Sequence, residues 1–135
     1  MSICSIQQRL KAPKGQMNKF GGYKYRSCED ILEAVKPILK DYSYSIHLTD
    51  SIEEVGGRIY VKATVWIQDS KAAIVATASA YAREAADKKG MDDSQITGTA
   101  SSYARKYALN GLLAKTAALL LLTGILMMIG VGLAV

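Results

Sequence analysis

From Tyr44 onward the chain alternates: Tyr44, Ile46 and Leu48 point one way and Ser45, His47 and Thr49 the other, the period-two signature of a half-buried strand. Residues 50–57 interrupt it with acidic residues and a Gly-Gly pair. Ile59, Val61, Ala63, Val65 and Ile67 then alternate with Arg58, Tyr60, Lys62, Thr64, Trp66 and Gln68. The two runs predict an antiparallel hairpin with one apolar face. Residues 72–83 are alanine-rich but carry Ile74, Val75 and Thr77 centrally, which predicts a third strand, with a helix as the competing reading.

On either side of this block the period lengthens. Ile31, Leu32, Val35, Ile38 and Leu39 recur at helical spacing behind Ser27 and Asp30, which have the form of a capping box. Residues 28–40 therefore read as an amphipathic helix, with Pro37 predicting a kink or break near Lys36. Residues 84–95 are charged and polar, with Gly90 and a run of Asp92, Asp93 and Ser94, as a surface loop ending at a helix N-cap would be. On the helix that follows, Tyr103 and Tyr107 are four apart, as are Ala104 and Ala108, with Arg105 and Lys106 about a quarter-turn round. The fold class expected is α+β. A three-stranded antiparallel β-sheet in a β-β-β-α core is packed by the N-terminal helix and the post-sheet helix, with a hydrophobic C-terminal helix beyond.

Charge changes the picture at the N-terminus. The first 26 residues carry Arg9, Lys11, Lys14, Lys19, Lys24 and Arg26 with no acid, and Pro13, Gly15, Gly21 and Gly22 break any long helix there, so they read as a basic arm or loop. Over all 135 residues, 17 Lys and Arg stand against 12 Asp and Glu, a formal charge of +5, and every charge lies between Arg9 and Lys115. Polyanions or an anionic membrane surface are the natural partners of such a body.

Little in the sequence points to covalent chemistry. No GxxxxGK[ST] or GxGxxG cradle occurs, which argues against ATP-driven function. His47, the one histidine, stands on the polar side of a strand without a nucleophile signature and reads as an ordinary surface or edge residue. Cys4 and Cys28 support neither a zinc site nor a disulfide framework, and Glu53-Glu54 and Asp92-Asp93 make a weak case for a metal-dependent nuclease. The expectation is a non-enzymatic protein with no cofactor and no metal. The first twelve residues lack the apolar core of a secretory signal, so a cytoplasmic location is expected.

Cations interleaved with aromatics are better represented. Lys19, Phe20, Tyr23, Lys24, Tyr25 and Arg26 form one cluster, and Tyr103, Arg105, Lys106 and Tyr107 another. This composition suits single-stranded nucleic acid, in which phosphates meet cations while unpaired bases stack on rings for about 1 to 3 kcal/mol each. A duplex would hide those base faces. The alternative for each tyrosine is a core position with its hydroxyl at the surface.

The segments KAPKGQMNKFGGYKYRSCEDILEAVKPIL and ITGTASSYARKYALNGLLA closely resemble the ERF superfamily of phage and prophage recombination proteins, over roughly residues 5–114. GTASSYARKYAL, residues 98–109, is the most diagnostic stretch. The resemblance implies an ATP-independent protein that binds single-stranded DNA, anneals complementary strands and assembles as a ring or filament. It would act in the cytoplasm of a bacterial host, with a partner exonuclease or the host single-strand-binding protein as further partners. The implied fold is similar to the annealing core of Rad52, a three-stranded sheet backed by a helix. By the same resemblance Arg105 and Lys106 would contact phosphates, and Lys24 and Arg26 would line the same groove. Tyr23, Tyr25, Tyr103 and Tyr107 would touch bases or wall the groove, and Ser101 and Ser102 would be neutral phosphate partners. Lys19, Lys62 and Arg83 complete the candidate DNA-binding set.

The resemblance divides the chain into an annealing domain, residues 1–114, and an atypical hydrophobic tail, residues 115–135. Residues 116–135 carry no charge and no proline and have the length to cross a bilayer as a helix. Three readings stand for them: a membrane anchor, a hydrophobic contact within an oligomer, or an out-of-frame end. The first yields an alternative function, a small tail-anchored membrane protein with a basic cytoplasmic domain. A further alternative is a passive coat on single-stranded DNA.

Overall fold

Along the chain run α1 (Ile3–Arg9), β1 (Gln16–Met17), β2 (Lys24–Tyr25), α2 (Cys28–Asp41), β3 (Ser45–Val55), β4 (Arg58–Gln68), β5 (Ile74–Arg83), α3 (Asp93–Leu112) and β6 (Met127–Ile129). The computed structural model describes residues 3–10, 16–17, 24–25, 27–86, 90–114 and 127–129. The architecture is the α+β one that the alternation predicts, with helices on one side of an antiparallel sheet in the order β3-β4-β5-β6.

The β3–β4 hairpin closes at Gly56 and Gly57, whose φ values of 60° and 76° are the left-handed conformation that a tight hairpin turn requires. Register runs unbroken from Ser45↔Gln68 to Val55↔Arg58. Residues 50–55 are thus strand, not turn, and the two glycines alone make the reversal. This extension leaves Asp50 on a fully paired β-strand. Residues 74–83 resolve as a strand: Val61 pairs with Ala82, Ala63 with Ala80 and Val65 with Ala78.

Those pairs form the helix-facing side of the sheet. Val61, Ala63, Val65, Ile67, Ala78, Ala80 and Ala82 are buried against Ile31, Val35 and Leu39 of α2 and Ala104, Tyr107, Ala108 and Leu109 of α3. The alanines of β5 have no bulk to hold the helix away, so α3 lies close over β4 and β5.

Both capping boxes form. Ser27 Oγ accepts from Asp30 N at 3.1 Å while Ser27 N donates to Asp30 Oδ2, and Asp92 and Gln95 do the same at the start of α3. Pro37 does not end α2 at Lys36; the helix continues to Asp41. Pro37 is exposed, while Val35, Ile38 and Leu39 around it are core residues, so burial on both sides of the lost hydrogen bond holds the turn helical.

Two expectations are corrected at the ends. The basic arm is not all loop: it opens with α1, whose Ile6 is fully buried, and β1 pairs antiparallel with β2. Gln7 Nε2 donates to Leu112 O at 2.8 Å, and Arg9 pairs with Asp41 at 2.7 Å, fastening α1 to the C-terminal ends of both longer helices. In the hydrophobic tail, Met127–Ile129 form a strand instead of part of a helix, pairing with Ala80–Ala82. Those β5 backbone groups face outward at the sheet edge, and a strand satisfies them where a helix could not. Among the described residues, no helix is long and apolar enough to cross a membrane.

Candidate nucleic-acid interface

The helical spacing of α3 places Ala100, Ala104, Tyr107 and Ala108 toward the sheet and leaves Gly98, Ser101, Ser102 and Arg105 along one outer ridge. Gly98 and Ser102 are exposed, and Ser101 and Arg105 are half-buried where the ridge passes β3. Asp50 meets them there. Its carboxylate accepts from the Ser101 hydroxyl and from Arg105 Nε, the latter at 3.0 Å to Oδ1 and 3.2 Å to Oδ2. The Asp50 hydrogen bond holds the Arg105 guanidinium charged, raising its pKa above the ordinary value.

The N-terminal end of α2 adjoins this cluster. Burial pushes the Cys28 thiol up to about 11; Glu29 adds to the shift and Arg105 opposes it. Cys28 is therefore a protonated core side chain and no nucleophile at neutral pH. Both cysteines are free. Among the described residues no group of His, Cys, Asp and Glu is arranged to hold a metal ion.

The remaining sequence candidates separate into distinct places. Lys106 is only 5% exposed and Tyr107 only 1%, so of the RKY triplet Arg105 alone presents its charge on the ridge. Tyr107 takes the core position that is the alternative reading of the tyrosines, and Tyr103, half-buried, stacks on it with ring centroids 6.2 Å apart. Lys24 and Tyr25 are strand positions in β2, paired with Met17 and Gln16. Lys19, Tyr23 and Arg26 lie outside the described residues.

Lys62 and Arg83 stand on the sheet face turned away from the helices, and so do not join the α3 ridge. Lys62 Nζ lies 5.6 Å from the centroid of the Tyr81 ring. Along the same face His47 stacks on Trp66 at 5.3 Å, its Nε2 2.9 Å from Ser45 Oγ, and Thr64 bonds Ser79 at 3.0 Å. Sequence reasoning did not single out His47, Trp66 or Tyr81 for binding. The signal was present in the polar half of the β4 alternation, which carries Tyr60, Lys62 and Trp66 together.

What the two surfaces can do is bind. One offers hydroxyls and a guanidinium on a helix, the other rings and a lysine on a sheet, and both suit a polyanion whose bases are unpaired.

Comparison with known proteins gives a consistent result. The sequence model of the ERF superfamily matches residues 1–116. The essential recombination function protein of Salmonella phage P22 is 58% identical over 110 residues, which cover 82% of this chain and 52% of the phage protein. The chain thus spans about half the length of that relative. No solved structure matches.

Proposed function

Because the chain belongs to the ERF superfamily, we propose that it is the annealing unit of a phage recombination system, binding single-stranded DNA and pairing complementary strands without ATP or a covalent step. Residues 1–114 would form that unit, with residues 115–135 a tail that adds the edge strand β6 to its sheet. The observation that carries the reading is the α3 ridge. The stretch most diagnostic of the family, residues 98–109, builds it, and Arg105 stands on it beside the hydroxyls of Ser101 and Ser102.

In this mechanism the ridge grips backbone phosphates and leaves base edges outward, where a second strand tests its pairing. Duplex formation supplies the driving free energy. The working form is a homo-oligomer. Each subunit covers a few nucleotides, and neighbours in a ring or filament raise the effective concentration of every contact.

The test is strand annealing by the intact chain, with complementary oligonucleotides carrying a fluorophore and a quencher, without ATP. Pairing should be accelerated, and binding should weaken log-linearly with salt as counterions are released. Absence of single-strand binding at low salt would overturn the reading. Binding without acceleration would make the protein a passive coat.

A further inference from the structure

Asp50 is out of place by the logic of its strand. Ile46, Leu48, Asp50 and Ile52 alternate on the helix-facing side of β3, and Asp50, where the strand becomes exposed, puts a carboxylate within reach of α3. Among the described residues its side-chain partners come from α3: the Ser101 hydroxyl and Arg105 Nε, which donates to both carboxylate oxygens. The Asp50 side chain is 23% exposed and that of Arg105 is 42% exposed, so the acid is the less exposed partner of the pair. Only the Nε edge of the guanidinium is engaged. Among the described residues, neither Nη group has a hydrogen-bond partner.

We propose that Asp50 is a positioning residue for DNA binding: it pins the inner edge of Arg105 so that the outer Nη groups are presented, already ordered, to a backbone phosphate of single-stranded DNA. The role rests on the reading of the chain as a single-strand-binding protein. An unpinned arginine on a helix surface surrenders side-chain entropy when it meets a phosphate, whereas this one has surrendered it on folding. Ser101 shares in the pinning by occupying Asp50 Oδ2 and fixing the carboxylate plane. The ridge serine is thus tied to the acid, and Ser102, one residue on and exposed, is the hydroxyl left outward.

The proposal reverses the expectation from charge alone. Removing an acid beside a DNA-binding surface ordinarily tightens binding, since repulsion from phosphate is relieved. Here Asp50→Asn, nearly the same shape, should weaken it. The experiment is fluorescence anisotropy of a labelled oligo-dT with the full chain and its Asp50→Asn, Arg105→Ala, Arg105→Lys and Asp50→Asn/Arg105→Ala variants, each checked for folding by circular dichroism.

At about 50 mM salt the Asp50→Asn affinity should fall roughly 5- to 10-fold, and the same change should cost nothing once Arg105 is alanine. Arg105→Lys retains the charge at a half-exposed helix position that does not threaten the fold. It cannot both engage Asp50 and offer a fork to phosphate, so it should bind nearly as weakly as Arg105→Ala. Should Asp50→Asn fail to fold, the Lys variant decides. Unchanged or tighter binding by Asp50→Asn, a loss that persists in the Arg105→Ala background, or wild-type affinity of Arg105→Lys would each overturn the positioning role while leaving single-strand binding intact. If the unmodified chain does not bind oligo-dT, both the reading and the role fall.

Discussion

Cys28, at the start of α2, and Asp50, on β3, each have their chemistry set in part by neighbours far away in sequence. The sequence identifies Cys28 as a free thiol but says nothing of its ionisation, which depends on its burial in the core. With its folded pKa pushed up to about 11 from an ordinary 9.0, the protonated thiol contributes stability that is intact below pH 9. That contribution is lost as pH rises from 9 toward 11, because the unfolded chain ionises first. Urea unfolding at pH 8 and pH 10.5 should therefore show a steeper alkaline loss for the natural chain than for Cys28→Val, the difference being roughly 2 kcal/mol. An equal loss in both would mean that the thiol is solvated. Asp50 was illegible for another reason. Next to Ser51, Glu53, Glu54 and two glycines it has the composition of a turn, and only the hairpin register reveals it as a strand residue within reach of α3.

At the scale of elements, periodicity carried most of the information. Alternation locates β3 and β4, and capping signals at Ser27 and Asp92 locate both long helices, because those patterns arise from local geometry. Alanine makes residues 74–83 ambiguous, since it suits a helix by propensity; the strand wins through hydrogen bonding to β4 and close packing under α3. The same packing predicts a sharp intolerance. Ala80, fully buried between β4 and α3, has no room to grow, and Ala80→Leu should lower stability by about 1 to 3 kcal/mol and Tm by several degrees. Ser79→Val, on the opposite face of the same strand, gives up the hydrogen bond to Thr64 but adds its bulk where no helix packs, and should lower Tm less than Ala80→Leu does. Thermal unfolding of both variants, followed by circular dichroism, checks the pair; equal losses would contradict the one-sided packing. α1 carries no periodic run long enough to be seen, and its place is set by Gln7 and Arg9 reaching α3 and α2.

Taken as a whole, the molecule keeps its open sheet face apart from its candidate binding ridge, while β3, an edge strand, carries the Asp50 that holds that ridge. Among the described residues the outer edge of β3 pairs with no strand, and near its end Ile52 and Val55 are 58% and 55% exposed on opposite faces. In the sequence both fall in the stretch whose acids and glycines interrupt the alternation, and the hairpin register shows them to be strand residues beyond the cover of the helices. An unpaired strand edge with apolar side chains is where a second copy of the chain gains most by docking. The proposed annealing mechanism needs such copies, because one ridge with one presented arginine holds a strand weakly. Annealing should therefore fall faster than linearly as the protein is diluted, in step with the mass measured by light scattering. Ile52→Asp combined with Val55→Asp should shift the chain toward the monomer and reduce annealing severalfold, with the circular dichroism spectrum unchanged. Binding of a short oligonucleotide that spans only one subunit should fall far less than annealing, since every α3 side chain is kept and only the new charge at position 52, two residues from Asp50 on the same side of β3, bears on the ridge. If the double variant assembles and anneals as the natural chain does, the subunit contact lies elsewhere. If annealing is linear in protein concentration, one subunit suffices and the effective-concentration mechanism fails.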